Sequence, residues 1–170
     1  MKVIGLAGWS GAGKTTLLAR LIPYLVTRGL RVSAIKHAHH NFDVDVPGKD
    51  SWVLREAGAA EVLVSSGRRF ALMHELRGAE EPRLPELLAK MSPADLVIVE
   101  GYKTDRHRKI EVHRAANGKE LLFPGDPAIV GIASDIDIKT ELPVAHLDDI
   151  AAVAAMMQAS AIDIADVLRH

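Results

Sequence analysis

The chain has 170 residues, 48% of them hydrophobic, which suffices for one sizeable core and predicts a single domain over residues 1–170. Its 21 basic and 22 acidic residues nearly cancel, so the charge gives no indication of a nucleic-acid-binding or membrane-surface protein. The absence of cysteine excludes disulfides, thiolate metal sites and thiol nucleophiles; with no signal peptide or membrane-spanning stretch, a cytoplasmic protein is expected.

Short runs rich in β-branched residues alternate with helical patterns, which predicts an α/β fold with a mainly parallel sheet flanked by helices. The predicted strands are residues 3–7, 31–35, 61–65, 95–99, 110–113 and 128–133. The predicted helices are residues 13–27, 51–57, 84–91 and 148–159, with a kink at Pro23 or, alternatively, a break near Ile22. Residues 66–75 are predicted as a strand or hairpin arm outside the parallel set.

The first strand and first helix are joined by a glycine-rich segment. It reads Gly8-Trp9-Ser10-Gly11-Ala12-Gly13-Lys14-Thr15, followed by Thr16, and fits the phosphate-loop pattern of Gly, four residues and Gly-Lys-Thr. Its glycines let the backbone amides and the helix N-terminus surround a phosphate. We expect Lys14 to contact the β and γ phosphates, the Thr15 hydroxyl to coordinate Mg²⁺, and Thr16 to lie near the α-phosphate.

A metal-bound triphosphate also requires a carboxylate, and the strand at 95–99 offers Asp95 and Glu100. The two lie about 16 Å apart along an extended chain, and ligands of open α/β sheets bind beyond the carboxyl ends of the strands. Glu100 is therefore the predicted residue, holding magnesium through water or polarising the attacking water. A solvated glutamate at a strand end is the simpler alternative.

Several polar residues follow the second strand, at the same end of the sheet. Asp43 and Asp45 are candidates to approach the magnesium or the γ-phosphate, and Asp45 is the preferred metal ligand and catalytic residue. His37, His39 and His40 are compatible with a transition-metal site or with polar loop residues that contact phosphate or a partner.

The Asn-Lys-x-Asp signature of many guanine-binding proteins is missing from the sequence. Asp135 follows a late strand instead, and its carboxylate can accept hydrogen bonds from guanine N1 and the exocyclic amine, which adenine does not offer. We therefore expect Asp135 to recognise the base, and an ordinary turn or cap residue is the alternative.

Together these motifs resemble the MobB family, the molybdopterin-guanine dinucleotide biosynthesis adaptor proteins, over nearly the whole chain. The specific stretches are Lys36-His37-Ala38-His39-His40, Asp43-Val44-Asp45, Pro47-Gly48-Lys49-Asp50-Ser51, Ala57-Gly58-Ala59, Val99-Glu100-Gly101-Tyr102-Lys103 and Lys109-Ile110-Glu111-Val112. The resemblance implies a P-loop NTPase fold, GTP and Mg²⁺ as ligands, weak GTPase activity, a homodimer, and action beside the guanylyltransferase that joins GMP to molybdopterin. Tyr102 stands where Phe is commoner in the family, and residues 106–108 are more basic than expected.

Two other classes of protein remain as alternatives. A small-molecule kinase shares the phosphate loop and a carboxylate on a neighbouring strand, although no arginine-rich lid is evident. A metallochaperone GTPase would use the histidines of residues 37–40 to carry nickel or zinc. For a dimer, residues 66–73 and 110–112 are candidate surfaces for strand addition.

Overall fold

The structure, a computed structural model, describes residues 1–38 and 42–169. The described residues divide into two compact units, one drawn from Met1–His37 and Leu84–His170 and the other from Ala38–Arg83. The organisation as a single domain stays a prediction. Within the described part of the chain, no helix is long and apolar enough to cross a membrane.

Helices and strands alternate along most of the chain. In chain order they are β1 (Lys2–Ala7), α1 (Lys14–Val26), β2 (Val32–Lys36), α2 (Asp50–Glu56), β3 (Glu61–Ser65), β4 (Phe70–His74), α3 (Leu84–Ala89), β5 (Leu96–Glu100), β6 (Lys109–His113), β7 (Ile129–Ser134), β8 (Val144–His146), α4 (Ile150–Ser160), β9 (Ile162–Asp163) and α5 (Ile164–Leu168). Proline 23 lies inside α1, which continues to Val26, so the alternative of a break near Ile22 is wrong.

The first unit is built on a sheet in the order β2-β5-β1-β6-β7-β8, with β9 beside the start of β1. Neighbouring strands from β2 to β8 are parallel, and only β9 pairs antiparallel. The mainly parallel α/β fold is therefore confirmed. Because the strands run in one direction, the carboxyl ends of β2, β5, β1, β6 and β7 meet at one edge, where a ligand of such a sheet binds.

Helices cover both faces of this sheet because its central strands are apolar on both sides. On one face, Ile4, Leu6 and Ile98 pack in the cluster that contains the buried side chains of α1 and α4. On the other face, Val3, Val97 and Val99 pack with buried residues of α3 and α5. Each fully buried aliphatic side chain contributes about 1.5–3 kcal/mol. This packing fixes the sheet edge from which the functional loops project.

The second unit contains α2 and an antiparallel hairpin of β3 and β4. Residues 66–75 thus supply a hairpin arm, as predicted, but the expectation that residues 61–65 belong to the parallel sheet is wrong. Runs of β-branched residues predict a strand without specifying its partner or direction. The hairpin exposes large apolar side chains, among them Leu63, Phe70 and Leu72.

The strand β6 is internal to the sheet of the first unit. It pairs with β1 on one edge and with β7 on the other, and all five of its residues are buried. A strand without a free edge offers no backbone groups for strand addition. The expectation of a dimer surface at residues 110–112 is therefore wrong, whereas the hairpin surface stays a prediction.

Candidate functional site

The loop between β1 and α1 crosses the carboxyl edge of the sheet. Gly8 begins it with φ 143°, and a Cβ atom there would lie 2.5 Å from the carbonyl oxygen of Val112 in β6. The amide of Ala12 donates to the Trp9 carbonyl at 3.1 Å and closes the turn. Helix α1 then begins without an acidic residue in its first turn. Its positive end therefore faces the loop unneutralised, which favours an anion.

Lys14 is folded over this loop. Its Nζ donates to the carbonyl oxygens of Gly8 at 2.8 Å and Trp9 at 3.1 Å. Burial lowers the pKa of Lys14, Glu100 opposes the shift, and Lys103 and Lys36 add to the lowering. A bound anion would relieve the repulsion among these ammonium groups, so the cluster favours a polyanionic ligand.

Thr15 and Glu100 face each other across the site. The pairing of β1 with β5 sets Glu100 beside Leu6, and the Thr15 hydroxyl donates to the Glu100 carboxylate at 3.4 Å. Lys36, the last residue of β2, donates to Thr15 Oγ1 at 3.3 Å and to the Glu100 carboxylate at 3.4 Å. Hydroxyl and carboxylate oxygens are hard donors that suit Mg²⁺. The structure thus brings together two of the three predicted metal ligands and adds Lys36.

The chain turns sharply directly after Glu100. Gly101 has φ 105°, and a Cβ atom there would lie 2.5 Å from the Cβ of His37, so only glycine fits this close approach. Tyr102 follows with φ 51°, and its ring lies 4.8 Å from that of His37. The buried Lys109 ammonium holds the next turn by donating to the carbonyl oxygen of Lys103 at 3.0 Å. These contacts end β5 at the point where its last side chain faces the phosphate loop.

The segment after β6, residues 114–120, lies against the phosphate loop. The Asn117 amide donates to the Ser10 carbonyl at 3.0 Å, and the Trp9 indole donates to the Glu120 carbonyl at 2.8 Å. A Cβ atom on Gly13 would lie 3.5 Å from Nη2 of Arg114. The segment therefore lies along the phosphate loop from Trp9 to Gly13. This segment has no periodic sequence pattern, and the predicted site does not include it.

Asp135 follows β7 and fixes the start of this segment. Its Oδ1 accepts the amide of Ala115 at 2.8 Å, and its Oδ2 lies 3.7 Å from Nη1 of Arg114. The side chain is a quarter exposed. Asp135 thus stabilises a turn, and it also lies beside a guanidinium at the edge of the phosphate loop. Its role in recognition of the base stays a prediction.

Sequence comparison matches residues 3–135 to the family of molybdopterin guanine dinucleotide synthesis protein B, MobB. The chain belongs to the MobB family. It is 43% identical over 157 residues to the molybdopterin-guanine dinucleotide biosynthesis adapter protein of Escherichia coli (strain K12), covering 89% of each chain. It is 38% identical over 159 residues to the adapter protein of that name from Haemophilus influenzae, covering 92% of this chain and 87% of the relative.

Solved MobB structures have the same architecture. A crystal structure of molybdopterin-guanine biosynthesis protein B gives a TM-score of 0.73 at 26% identity, covering 92% of this chain and 98% of the other. Bacillus subtilis MobB gives a TM-score of 0.70 at 20% identity with the same coverage. The fold of this MobB-family chain is therefore the P-loop NTPase fold.

In this MobB-family chain, Asp43 and Asp45 belong to the second unit, where they surround Arg55. Asp45 Oδ1 accepts the Ser51 hydroxyl at 2.7 Å, and Asp45 Oδ2 accepts Arg55 Nε at 3.1 Å. Asp43 Oδ2 accepts Arg55 Nη2 at 2.7 Å. The Ser51 hydroxyl, and after it Arg55, lowers the pKa of Asp45, which is held ionised. The role of Asp45 as a metal ligand stays a prediction. Of the three candidate histidines for a transition-metal site, His37 lies against Tyr102, and His39 and His40 lie outside the described residues.

Proposed function

We propose that this MobB-family chain is a GTP-binding adaptor in molybdopterin guanine dinucleotide biosynthesis, with weak GTPase activity at most. The observation that carries the proposal is the phosphate loop at residues 8–16, with Lys14 over the loop and Thr15 facing Glu100 at 3.4 Å. Two relatives that are 43% and 38% identical to this chain are named adapter proteins of this biosynthesis. Such a role fits a cytoplasmic address.

Magnesium belongs to this proposal because the residues present suit it. Thr15 Oγ1 would bind the ion directly, and Glu100 would bind it directly or through water. When bound by these residues, the ion would supply positive charge to the β and γ phosphates during hydrolysis. Glu100 also has the position to orient a water molecule toward the γ-phosphate. Asp45 is kept as a further proposed ligand, and it would have to leave its contacts with Ser51 and Arg55 to act.

We propose that the carboxylate of Asp135 provides selectivity for guanine. Its Oδ2 lies 3.7 Å from Nη1 of Arg114, beyond hydrogen-bond distance, so this oxygen can accept a hydrogen bond from the guanine edge. At the same edge adenine has an acceptor at N1 and no amine on C2, so the carboxylate would lose both of these donors. GTP should therefore bind more tightly than ATP.

The proposed partners are the molybdopterin guanylyltransferase and the molybdopterin cofactor, as the family implies, and a second copy of the chain. The exposed apolar residues Leu63, Phe70 and Leu72 on the β3–β4 hairpin support the homodimer, because monomeric proteins rarely leave such residues together in water. The hairpin also presents strand edges for pairing.

Calorimetric titration with GTP and with ATP, each with Mg²⁺, tests the proposal. We expect selective GTP binding, and Lys14→Ala should weaken it about 10- to 100-fold because a charge-assisted contact to the phosphates is lost. Lys2→Ala is the matched control, since Lys2 is exposed and pairs with Asp163 at 2.8 Å at the opposite end of β1 from the phosphate loop. Unchanged affinity in Lys14→Ala would refute the phosphate site. ATP preference with phosphate transfer to an added alcohol would favour a kinase.

A further inference from the structure

Arg114 is a cation beside the phosphate loop to which neither the motif nor the proposed chemistry assigns a role. Its guanidinium lies against Gly13, with Nη2 at 3.5 Å and Nε at 3.6 Å from the position of a Cβ atom on that glycine. The Arg114 side chain is 42% exposed. One part of the planar group therefore packs on the loop, and another part remains accessible to a ligand.

The order of the strands shows on which side of the phosphate loop Arg114 lies. Strand β1 is flanked by β5 on one side and by β6 on the other. Glu100 is the last residue of β5, and Lys36 is the last residue of β2, the strand next to β5. The proposed metal and terminal phosphates therefore lie on that side. Arg114 follows β6 and Asp135 follows β7, on the opposite side. A triphosphate with its metal-bound end toward Glu100 leaves its nucleoside to extend toward Arg114.

The chemistry of this place suits a planar aromatic ring. A guanidinium is flat, remains charged at all ordinary pH values and stacks on the faces of aromatic groups. Asp135 positions it, because Oδ2 attracts Nη1 from 3.7 Å and Oδ1 accepts the amide of Ala115, which fixes the backbone beside Arg114. Asn117 anchors the same segment on the Ser10 carbonyl. The guanidinium is thus placed before a ligand arrives, which reduces the entropy lost on binding.

We propose that Arg114 is the nucleoside contact of this site, a guanidinium plane on which the purine base stacks, with Asp135 as the residue that positions it. The proposal rests on the proposed nucleotide binding. Stacking differs from a further phosphate contact, because the flat face of Arg114 contributes affinity only when the ligand carries a base. Inorganic tripolyphosphate, which has the phosphates and no nucleoside, separates the two roles.

Calorimetric titration of the full chain with GTP and with inorganic tripolyphosphate, both with Mg²⁺, tests the assignment. Arg114→Ala removes a charge as well as the plane, so it should weaken GTP binding about 3- to 30-fold more than tripolyphosphate binding, the range expected for a cation stacked on an aromatic ring. Arg114→Lys keeps the charge beside Asp135 but loses the plane, so it should lose affinity for GTP selectively as well. Arg28→Ala is the control, an arginine stacked on Tyr24 at the other end of α1.

Each other outcome overturns the assignment. Equal losses for GTP and tripolyphosphate in both variants would make Arg114 a phosphate contact, and unchanged affinity for both ligands would leave it with a structural role only. A wild-type protein that bound tripolyphosphate but not GTP would refute the nucleoside contact and leave the phosphate loop standing. A protein that bound neither ligand would refute the proposed function together with this inference.

Discussion

Glu100 and Asp95 are carboxylates at opposite ends of one strand, and the structure gives them different tasks. The Asp95 carboxylate accepts the backbone amide of Arg31 at 2.7 Å and so fastens the start of β5 to the chain before β2. The Glu100 carboxylate faces the Thr15 hydroxyl and the Lys36 ammonium at 3.4 Å, with its side chain 12% exposed. The direction of the strand therefore decides which carboxylate reaches the phosphate site.

Glu100→Gln is expected to slow GTP hydrolysis while the protein remains folded. The amide is neutral and is a weaker ligand for magnesium or for magnesium-bound water, so release of free phosphate should fall about 10- to 100-fold, as for losses of comparable groups around a metal. Single-turnover phosphate release with protein in excess over GTP measures this. Asp95→Asn, the same chemical change at the other end of β5, should hydrolyse GTP at the wild-type rate. Equal rates in the two variants would contradict the role of Glu100.

At the scale of single elements, β6 is unusual because an internal strand carries buried charges. Lys109 and Glu111 are 1% and 0% exposed, and each binds residues of the loop that follows β6. The Lys109 ammonium pairs with Asp126 at 3.1 Å. The two oxygens of Glu111 accept the amides of Leu122 at 2.7 Å and Phe123 at 2.9 Å. The strand thus organises residues 114–126, and that region contacts the phosphate loop.

Glu111→Ala should destabilise the protein by about 2–5 kcal/mol, because two partly buried amides lose their charged acceptor. Urea unfolding measures the loss. In a Trp52→Phe background, iodide should also quench Trp9 more strongly, since the segment that accepts its indole N–H is loosened. Glu120→Ala removes an exposed carboxylate from the same segment and should change stability by less than about 0.5 kcal/mol. Equal effects of the two substitutions would refute this role of Glu111.

The loop between β1 and α1 and the position of Glu100 beside Thr15 were predictable because both depend on local information, whereas their roles toward phosphate and metal stay predictions. A glycine-rich motif sits between a strand and a helix, and the position of a carboxylate along its strand places it at one end of the sheet. The pairing of β3 was not predictable, because the propensity of a segment to form a strand does not specify which strand it pairs with. Strands β8 and β9 have three and two residues and helix α5 has five, too few for a periodic pattern.

The missed site residues depend on contacts between distant parts of the chain. Lys36 reaches Glu100, 64 residues away, and Trp9 reaches the carbonyl oxygen of Glu120, 111 residues away. Such contacts arise only once the sheet order places β2 beside β5 and β6 beside β1. In the second unit, Arg55 meets Asp45 ten residues away through the fold of a loop, which has no sequence period.

Over the whole molecule, most of the shifted pKa values make the folded protein more stable at neutral pH than in acid. Hydrogen bonds and ion pairs lower the pKa of Asp43 and Asp45 in the second unit, and of Asp148 and Asp163 in the first. Each contributes stability above the ordinary carboxyl pKa that is lost as the pH falls. Burial raises the pKa of Asp105, which acts in the opposite direction. Both units should therefore lose stability in acid.

His107 extends this acid sensitivity to milder pH. It is 4% exposed, and its ring nitrogens have no hydrogen-bond partner within the described part of the chain. Burial lowers its pKa from 6.5 to about 4; Lys109 adds to the shift and Asp126 opposes it. Between these values the unfolded chain binds a proton that the folded chain does not. Protonation of His107 therefore does not affect stability above pH 6.5, and it destabilises the folded protein progressively as the pH falls from 6.5 toward 4.

His107→Leu should flatten the dependence of stability on pH, because leucine has no proton to bind in the unfolded chain. At pH 8 the variant should be as stable as the wild type, since an apolar side chain replaces two buried nitrogens that lack partners. From about pH 6.5 down to pH 5 the wild type should lose up to about 1.4 kcal/mol per pH unit more than the variant. Urea unfolding at pH 8, 7, 6 and 5 measures both curves. Parallel curves would show that the His107 ring is protonated in the folded protein or reaches water, and that burial at this site does not exclude the charge.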